Sequence, residues 1–154
     1  MDPEDLTPLD PAYASMLRVK FGIVAAVLLA GASVAEIAIP GYTGAVWLPV
    51  GLFALWLLIR MPMRRYAARG YSLEGERLRV VRGILFRSDS VVPFGRVQHI
   101  DVDQGPLERA FGLATLTVHT AGTHNASVSL PGLAQADAGA IREDIRAAIR
   151  RDTQ

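Results

Sequence analysis

The pattern of hydrophobic and polar positions changes character twice along this chain. Residues 21–39 (FGIVAAVLLAGASVAEIAI) and 45–59 (AVWLPVGLFALWLLI) are apolar on every side, with Pro40-Gly41-Tyr42-Thr43-Gly44 between them. As helices they extend about 28 Å and about 22 Å, the second reaching about 28 Å if it continues to Met63, against a bilayer core of ~30 Å. A chain of 154 residues cannot cover two such helices within a soluble core. The first run is too long for a signal-peptide core, and a second follows at once. The pattern therefore predicts a transmembrane helical hairpin over residues 18–65, with spans at 21–39 and 45–63.

From Tyr71 the period becomes two. Arg77 to Arg82 alternates, Gly83 interrupts, and Leu85 to Val92 resumes before Pro93; Val97 to Gln104, Thr115 to Thr120 and Ala126 to Leu130 alternate again. Gly-containing turns at Glu74-Gly75-Glu76 and Gly122-Thr123-His124-Asn125 join these short strands into an antiparallel sheet or small barrel. After Pro131-Gly132 the period becomes helical, with Ile141, Ile145, Ala148 and Ile149 on one stripe. The expected fold is α+β: a membrane hairpin, then a domain over 70–154 whose curled sheet is closed by an amphipathic C-terminal helix. Residues 1–17 are expected to be a tail, since Met1 to Tyr13 holds three prolines and four acids.

Charge adds an orientation. Arg18 and Lys20 precede the first span, Arg60, Arg64, Arg65 and Arg69 follow the second, and the connecting loop is uncharged. The positive-inside rule then places both termini in the cytoplasm, with Trp47 and Tyr42 at the outer interface and Tyr66 and Trp56 toward the inner side. From Gly70 onward ten Arg balance ten Asp or Glu, which disfavours nucleic acid as a partner. The absence of cysteine excludes disulfides and thiol chemistry.

Within the spans, Gly22, Ala26, Ala30 and Ser33 form a flat face against which Trp47, Phe53 and Trp56 supply bulk, as a packing seam within one chain or between copies. Glu36 is the one ionisable residue in either span. It lies about one turn from the outer end, where it snorkels to the interface or contacts another membrane protein.

The most specific stretch is Val92-Pro93, Arg96-Val97-Gln98-His99, and Gln104 to Gly122 (QGPLERAFGLATLTVHTAG). It resembles the signature of the bacterial pleckstrin-homology-like domain of the membrane-flanked type, over Tyr71 to Ile149. The preceding hairpin agrees with that family. The resemblance implies a seven-stranded, strongly bent sheet capped by a C-terminal helix on the cytoplasmic face, with no established enzymatic activity and no cofactor. Its motif residues are Pro93, Gln98, Gln104, Gly105, Pro106, Leu107, Phe111 and Gly112. It also implies a partner, a larger membrane protein carrying several similar domains, and a connection with envelope stress or bacteriocin resistance.

Physically, Gly105-Pro106 stops a strand, and Leu107 to Phe111 makes one helical turn. Leu107 and Phe111 share its inner face, Glu108 and Arg109 its exposed side, and Gly112 ends it. Glu108 and Arg109 are thus candidate partner contacts beside Glu36. Arg64, Arg65, Arg77 and Arg79 are candidate contacts to anionic lipid, and Arg82 and Arg87 extend the same headgroup-facing patch. His99, Asp101 and Asp103 share one strand face, as do Thr115, Thr117 and His119, but no ligand spacing demands a metal. No catalytic signature occurs: neither Gly-x-Ser-x-Gly, nor a phosphate-cradling glycine loop with Lys, nor His-Glu-x-x-His. The sequence reads as a non-enzymatic interaction or scaffold module at a bacterial cell membrane. An accessory subunit of a transport or signalling complex, an anionic-lipid-binding module and self-association are the alternatives.

Overall fold

A computed structural model describes residues 6–38, 44–84, 86–121 and 127–152. The loop 39–43 with Tyr42, the turn at 122–125 and Leu85 lie outside the described residues. The chain forms two compact units, one covering Ala14–Arg65 and the other joining the chain up to Tyr13 with everything from Tyr66 onward.

The first unit is built from two helices, α1 (Pro11–Ala38) and α2 (Trp47–Ala67), each long and apolar enough to cross a bilayer. They run antiparallel: Arg18 reaches the Met63 sulfur at 3.9 Å, the Arg65 guanidinium lies 5.2 Å from the Phe21 ring centre, and Gly22 faces Leu58. The buried stripe of α1 passes through Ala25 and Ala32, with Gly22, Leu29 and Ser33 half-buried, while Ala26 and Ala30 face outward. On α2 the buried positions are Ala54, Leu57 and Pro62. Trp47, Phe53 and Trp56 are exposed, and Phe53 stacks on Trp56 at 5.8 Å instead of filling a seam. This corrects the expected packing face. Gly22, Ala25, Leu29 and Ala32 fall at a three-four-three spacing, and the three small residues among them let the backbones approach, so bulk is unnecessary at the contact and is displaced to the outer surface. Pro62 is tolerated inside α2 and is buried there.

The second unit holds two open three-stranded antiparallel sheets. β1 (Gly70–Glu74), β2 (Arg77–Arg82) and β3 (Ser88–Pro93) make the first. β4 (Val97–Asp103), β5 (Leu113–Thr120) and β6 (Ser127–Ala134) make the second, and the 3-10 turn Phe94–Arg96 leads from one to the other. The described residues thus give six strands in two sheets and no closed barrel. One face of each sheet supplies the core: Leu78, Val80 and Val92 from the first, and Leu116, Val118, Val128 and Leu130 from the second, all nearly inaccessible. Helix α4 (Gln135–Asp152) covers β4, β5 and β6 with Ala138, Ile141, Ile145 and Ala148, three and four apart as an apolar stripe requires. β6 continues through Pro131 to Ala134, so the helix starts later than the Pro-Gly pair suggests. Proline is admissible because β6 is an edge strand, where one side of the ladder needs no N–H donor.

The N-terminal segment departs most from expectation. α1 begins at Pro11, ten residues before the apolar run, and the residues from Leu6 to Asp10 pack on the second unit. Thr7 and Tyr71 exchange both backbone hydrogen bonds, at 2.7 and 3.1 Å, adding a one-pair bridge to the edge of β1. The Asp10 N–H donates to the Gly132 carbonyl on β6 at 3.1 Å, and the Tyr66 hydroxyl donates to the Leu9 carbonyl at 2.9 Å. Leu9 and Tyr13 are buried, and the Arg69 guanidinium donates to the Tyr13 hydroxyl. Residues 6–13 are therefore a strap across the edges of both sheets. Within that strap Pro8, Asp10 and Pro11 alternate with Leu9 and Tyr13, apolar anchors that find their partners only in the folded domain.

Candidate functional site

The motif at the end of β4 folds into a locked corner. Helix α3 (Pro106–Ala110) begins with proline at its first position, where a missing N–H is harmless. Glu108 reaches back to accept the Gly105 N–H at 2.8 Å through Oε2 and takes the Thr115 hydroxyl at 2.6 Å through Oε1. The Gln104 side-chain amide donates to the Leu113 carbonyl at 2.7 Å. Gly112 adopts φ of +67°, a conformation open to glycine at little cost, and its carbonyl accepts the first N–H of α4 from Gln135 at 3.0 Å. The motif thus ties the residue that precedes α3 to β5 through one half-buried carboxylate, and reaches α4 through the Gly112 carbonyl. Glu108 is turned inward on Thr115 rather than outward, whereas Arg109 is exposed. Leu107 and Phe111 are only half-buried, not the fully covered anchors their spacing suggested, because a five-residue helix at the rim of a sheet has nothing above it.

Toward the other end of the same two strands, β4 and β5 are paired so that His99 faces His119 and Asp101 faces Thr117. Asp101 bridges the two imidazoles, with Oδ1 2.6 Å from His99 Nε2 and Oδ2 3.3 Å from His119 Nε2. No group with metal-holding geometry occurs among the described residues. Gln98 sits exposed at a bulge in the same strand.

The outer face of the first sheet carries a groove of about 850 Å³ lined by Ser72, Glu74, Arg77, Arg79, Asp89 and Val91, with Pro93 at its end. Arg79 forms a two-pronged pair with Asp89, its Nε at 3.0 and 3.1 Å and its terminal nitrogen at 2.5 Å from the carboxylate oxygens. That hydrogen bonding, with weaker help from the charges of Arg79 and Arg87, holds the Asp89 carboxyl below the usual carboxylate range. Arg77 stands opposite Glu74 in the ladder. The groove is therefore of mixed charge, and its two arginines face carboxylates. At the far margin of the unit, burial and secondarily the charge of Asp137 push the Tyr71 phenol above its ordinary value.

In the hairpin, Glu36 Oε1 accepts the Gly44 N–H, which ties the last turns of α1 to the start of the segment leading into α2. Its Oε2 is buried with no hydrogen-bond partner among the described residues. Arg64 is exposed and Arg65 lies over Phe21. The alternation from Leu85 to Val92 predicts a strand over that whole run. The strand begins only at Ser88, and the residues before it form a loop with Phe86 at its surface. The run Arg82-Gly83-Ile84-Leu85-Phe86-Arg87, apolar between two cations, was the available signal.

Comparison with known proteins agrees with this architecture. The family described as Bacterial PH domain matches residues 19–149. The UPF0699 transmembrane protein YdbS of Bacillus subtilis is 33% identical over 107 residues, covering 70% of this chain and 64% of that protein. The chain thus aligns with a little under two thirds of that relative's length. No solved structure matches. The chain belongs to the bacterial PH-domain family, is similar to a transmembrane protein, and has two helices long and apolar enough to cross a membrane.

Proposed function

Starting from that membership, we propose that the chain is a non-enzymatic interaction module held at the cytoplasmic face of a bacterial membrane. Its partner in this reading is a larger membrane protein carrying several similar domains, and its setting is envelope stress or bacteriocin resistance. The observation that carries the reading is the short join between two lipid-facing helices and the folded domain. Val27, Val34, Ile37, Leu48 and Leu52 present apolar side chains outward, and only Ala68 and Arg69 separate α2 from β1. Such a join holds the domain within a few residues' reach of the bilayer, each residue spanning at most ~3.3–3.6 Å. The Thr7–Tyr71 bridge supports a same-side placement of both flanks of the hairpin, since the two residues precede and follow the two spans. The excess of Arg and Lys on those flanks favours the cytoplasm.

With Glu108 and Arg79 engaged within the domain, the exposed Arg109 and, toward the other end of the β4–β5 ladder, the His99 and His119 surface are the residues we assign to partner contact. Extraction of the full chain in mild detergent tests this. The expected result is co-purification of a multi-domain membrane protein that is lost in an Arg109→Glu variant. Recovery as a monomer bound only to lipid overturns the scaffold reading.

A further inference from the structure

We propose that the β2–β3 loop, with Ile84 and Phe86 exposed, is a second membrane anchor: an apolar tip that enters the headgroup boundary of the leaflet from which α2 emerges, flanked by two arginines that meet anionic phosphates. This deepens the reading above and rests on its membrane tether.

Phe86 is 89% exposed, more than any large apolar residue on the transmembrane helices, of which Ile37 at 84% is the extreme. Ile84 beside it is 38% exposed, and Leu85 is its sequence neighbour. A phenylalanine so bare on a water-soluble surface has no stabilising role in the fold. Arg82 and Arg87, both exposed, bracket the tip and are joined in no ion pair among the described residues. Apolar residues between flanking cations suit the interface between acyl chains and anionic headgroups.

The loop is also built to hold its shape. Gly83 adopts φ of +124°, and a Cβ there would come 1.8 Å from the Phe86 carbonyl oxygen. Only glycine lets the chain fold back so tightly at the base of the tip.

Its position in the sheet supplies the third observation. Gly70, the first residue of β1, pairs with Val81, so the end of β2 and the loop beyond it lie at the end of the sheet where the chain arrives from α2. A surface depression lined by Tyr66, Ala68, Gly70, Val81, Gly83 and Arg87 joins the base of the loop to those arriving residues. Arg77 and Arg79, singled out with Arg82 and Arg87 from the sequence for lipid, lie toward the other end, opposite Glu74 and Ser72. Arg82 and Arg87 keep that assignment.

The test uses the cysteine-free full chain reconstituted in phosphatidylethanolamine–phosphatidylglycerol vesicles. Single cysteines at Phe86, at Val91 on the outer sheet face, and at Leu52 in the span carry an environment-sensitive fluorophore. Tips of this kind reach about 5–10 Å into the boundary, so lipids brominated near the headgroup should remove about half or more of the emission at 86 and spare 91. The Arg82→Gln/Arg87→Gln pair should reduce that quenching, as should replacement of phosphatidylglycerol by phosphatidylcholine. Quenching at 52 but not at 86 overturns the anchor and leaves the membrane tether standing; absence of quenching at 52 as well would sink the tether itself. A label at 86 shielded from aqueous iodide yet untouched by brominated lipid means that a protein surface covers the tip, and likewise overturns the lipid assignment.

Discussion

Replacing Glu108 with alanine should destabilise the domain, and the structure gives the size of the effect. The substitution removes the acceptor of the Gly105 N–H, whose loss at a helix start typically costs about 1 kcal/mol. It also leaves the Thr115 hydroxyl without its carboxylate, a bond worth about 1–1.5 kcal/mol net at a half-buried site. Together these reach ~2–2.5 kcal/mol out of the ~5–15 kcal/mol available to a domain. At ~4–8 °C per kcal/mol for a domain of this size, the midpoint of thermal unfolding should fall by roughly 10–15 °C. Glu108→Gln, which keeps one carbonyl acceptor, should lose about half as much. Thr115→Val should cost about 1 kcal/mol alone and almost nothing in the Glu108→Ala background, because the two residues share one bond. Urea unfolding of the full chain in mild detergent, followed by circular dichroism, measures all four proteins. An alanine variant within ~0.5 kcal/mol of the parent, the range of ordinary surface changes, would refute the structural role.

Gly132→Ala should also destabilise, by roughly 2–4 kcal/mol, since it adds a left-handed residue other than glycine and an overpacked contact. At φ of +80° its Cβ would lie 2.5 Å from the Tyr13 ring, and a Tyr13→Ala partner change should restore part of the loss in the same unfolding assay. Acid should expose the Arg79–Asp89 pair. The folded carboxyl titrates below its unfolded value of ~3.9, so its contribution is complete above that pH and disappears as pH falls through the folded value. Asp89→Asn should flatten the stability profile in that acid window alone, and a profile unchanged from the parent there would contradict the pair. For topology, cysteines placed singly at Tyr42 and Gln154 should respond oppositely to an impermeant thiol reagent on intact cells, 42 reacting and 154 not; the reverse pattern would invert the orientation.

The parts of the fold carried by local pattern were legible in the sequence. The alternation of Arg77 to Arg82 marks β2 to the residue, and the stripe through Ile141, Ile145 and Ala148 is the buried face of α4. The parts carried by distant contacts were not. Leu9 and Tyr13 look like constituents of a tail because what buries them, Gly132 and Arg69 among others, lies more than fifty residues on. Glu108 and Arg109 are adjacent in one turn and chemically similar in promise, yet Thr115 draws one inward and leaves the other free to solvent. The seam of the hairpin was shifted along α1 for a related reason: several small residues were available, and only the facing helix selects among them.

The strap over residues 6–13 has a consequence for how the protein is made. The globular unit is discontinuous, with its first piece translated before both transmembrane helices and the rest after them. Thr7 must find Tyr71 across a loop of more than sixty residues, a closure that pairing of the two antiparallel helices shortens to the separation of the start of α1 from the end of α2. Completion of the domain therefore waits on the membrane step, and a nascent chain whose hairpin fails to insert keeps the edges of β1 and β6 bare, the kind of strand edge that recruits other chains. A fragment begun at Tyr66 in search of a soluble domain would carry the same defect permanently. Adding back residues 6–13 as a separate peptide should restore the missing edge.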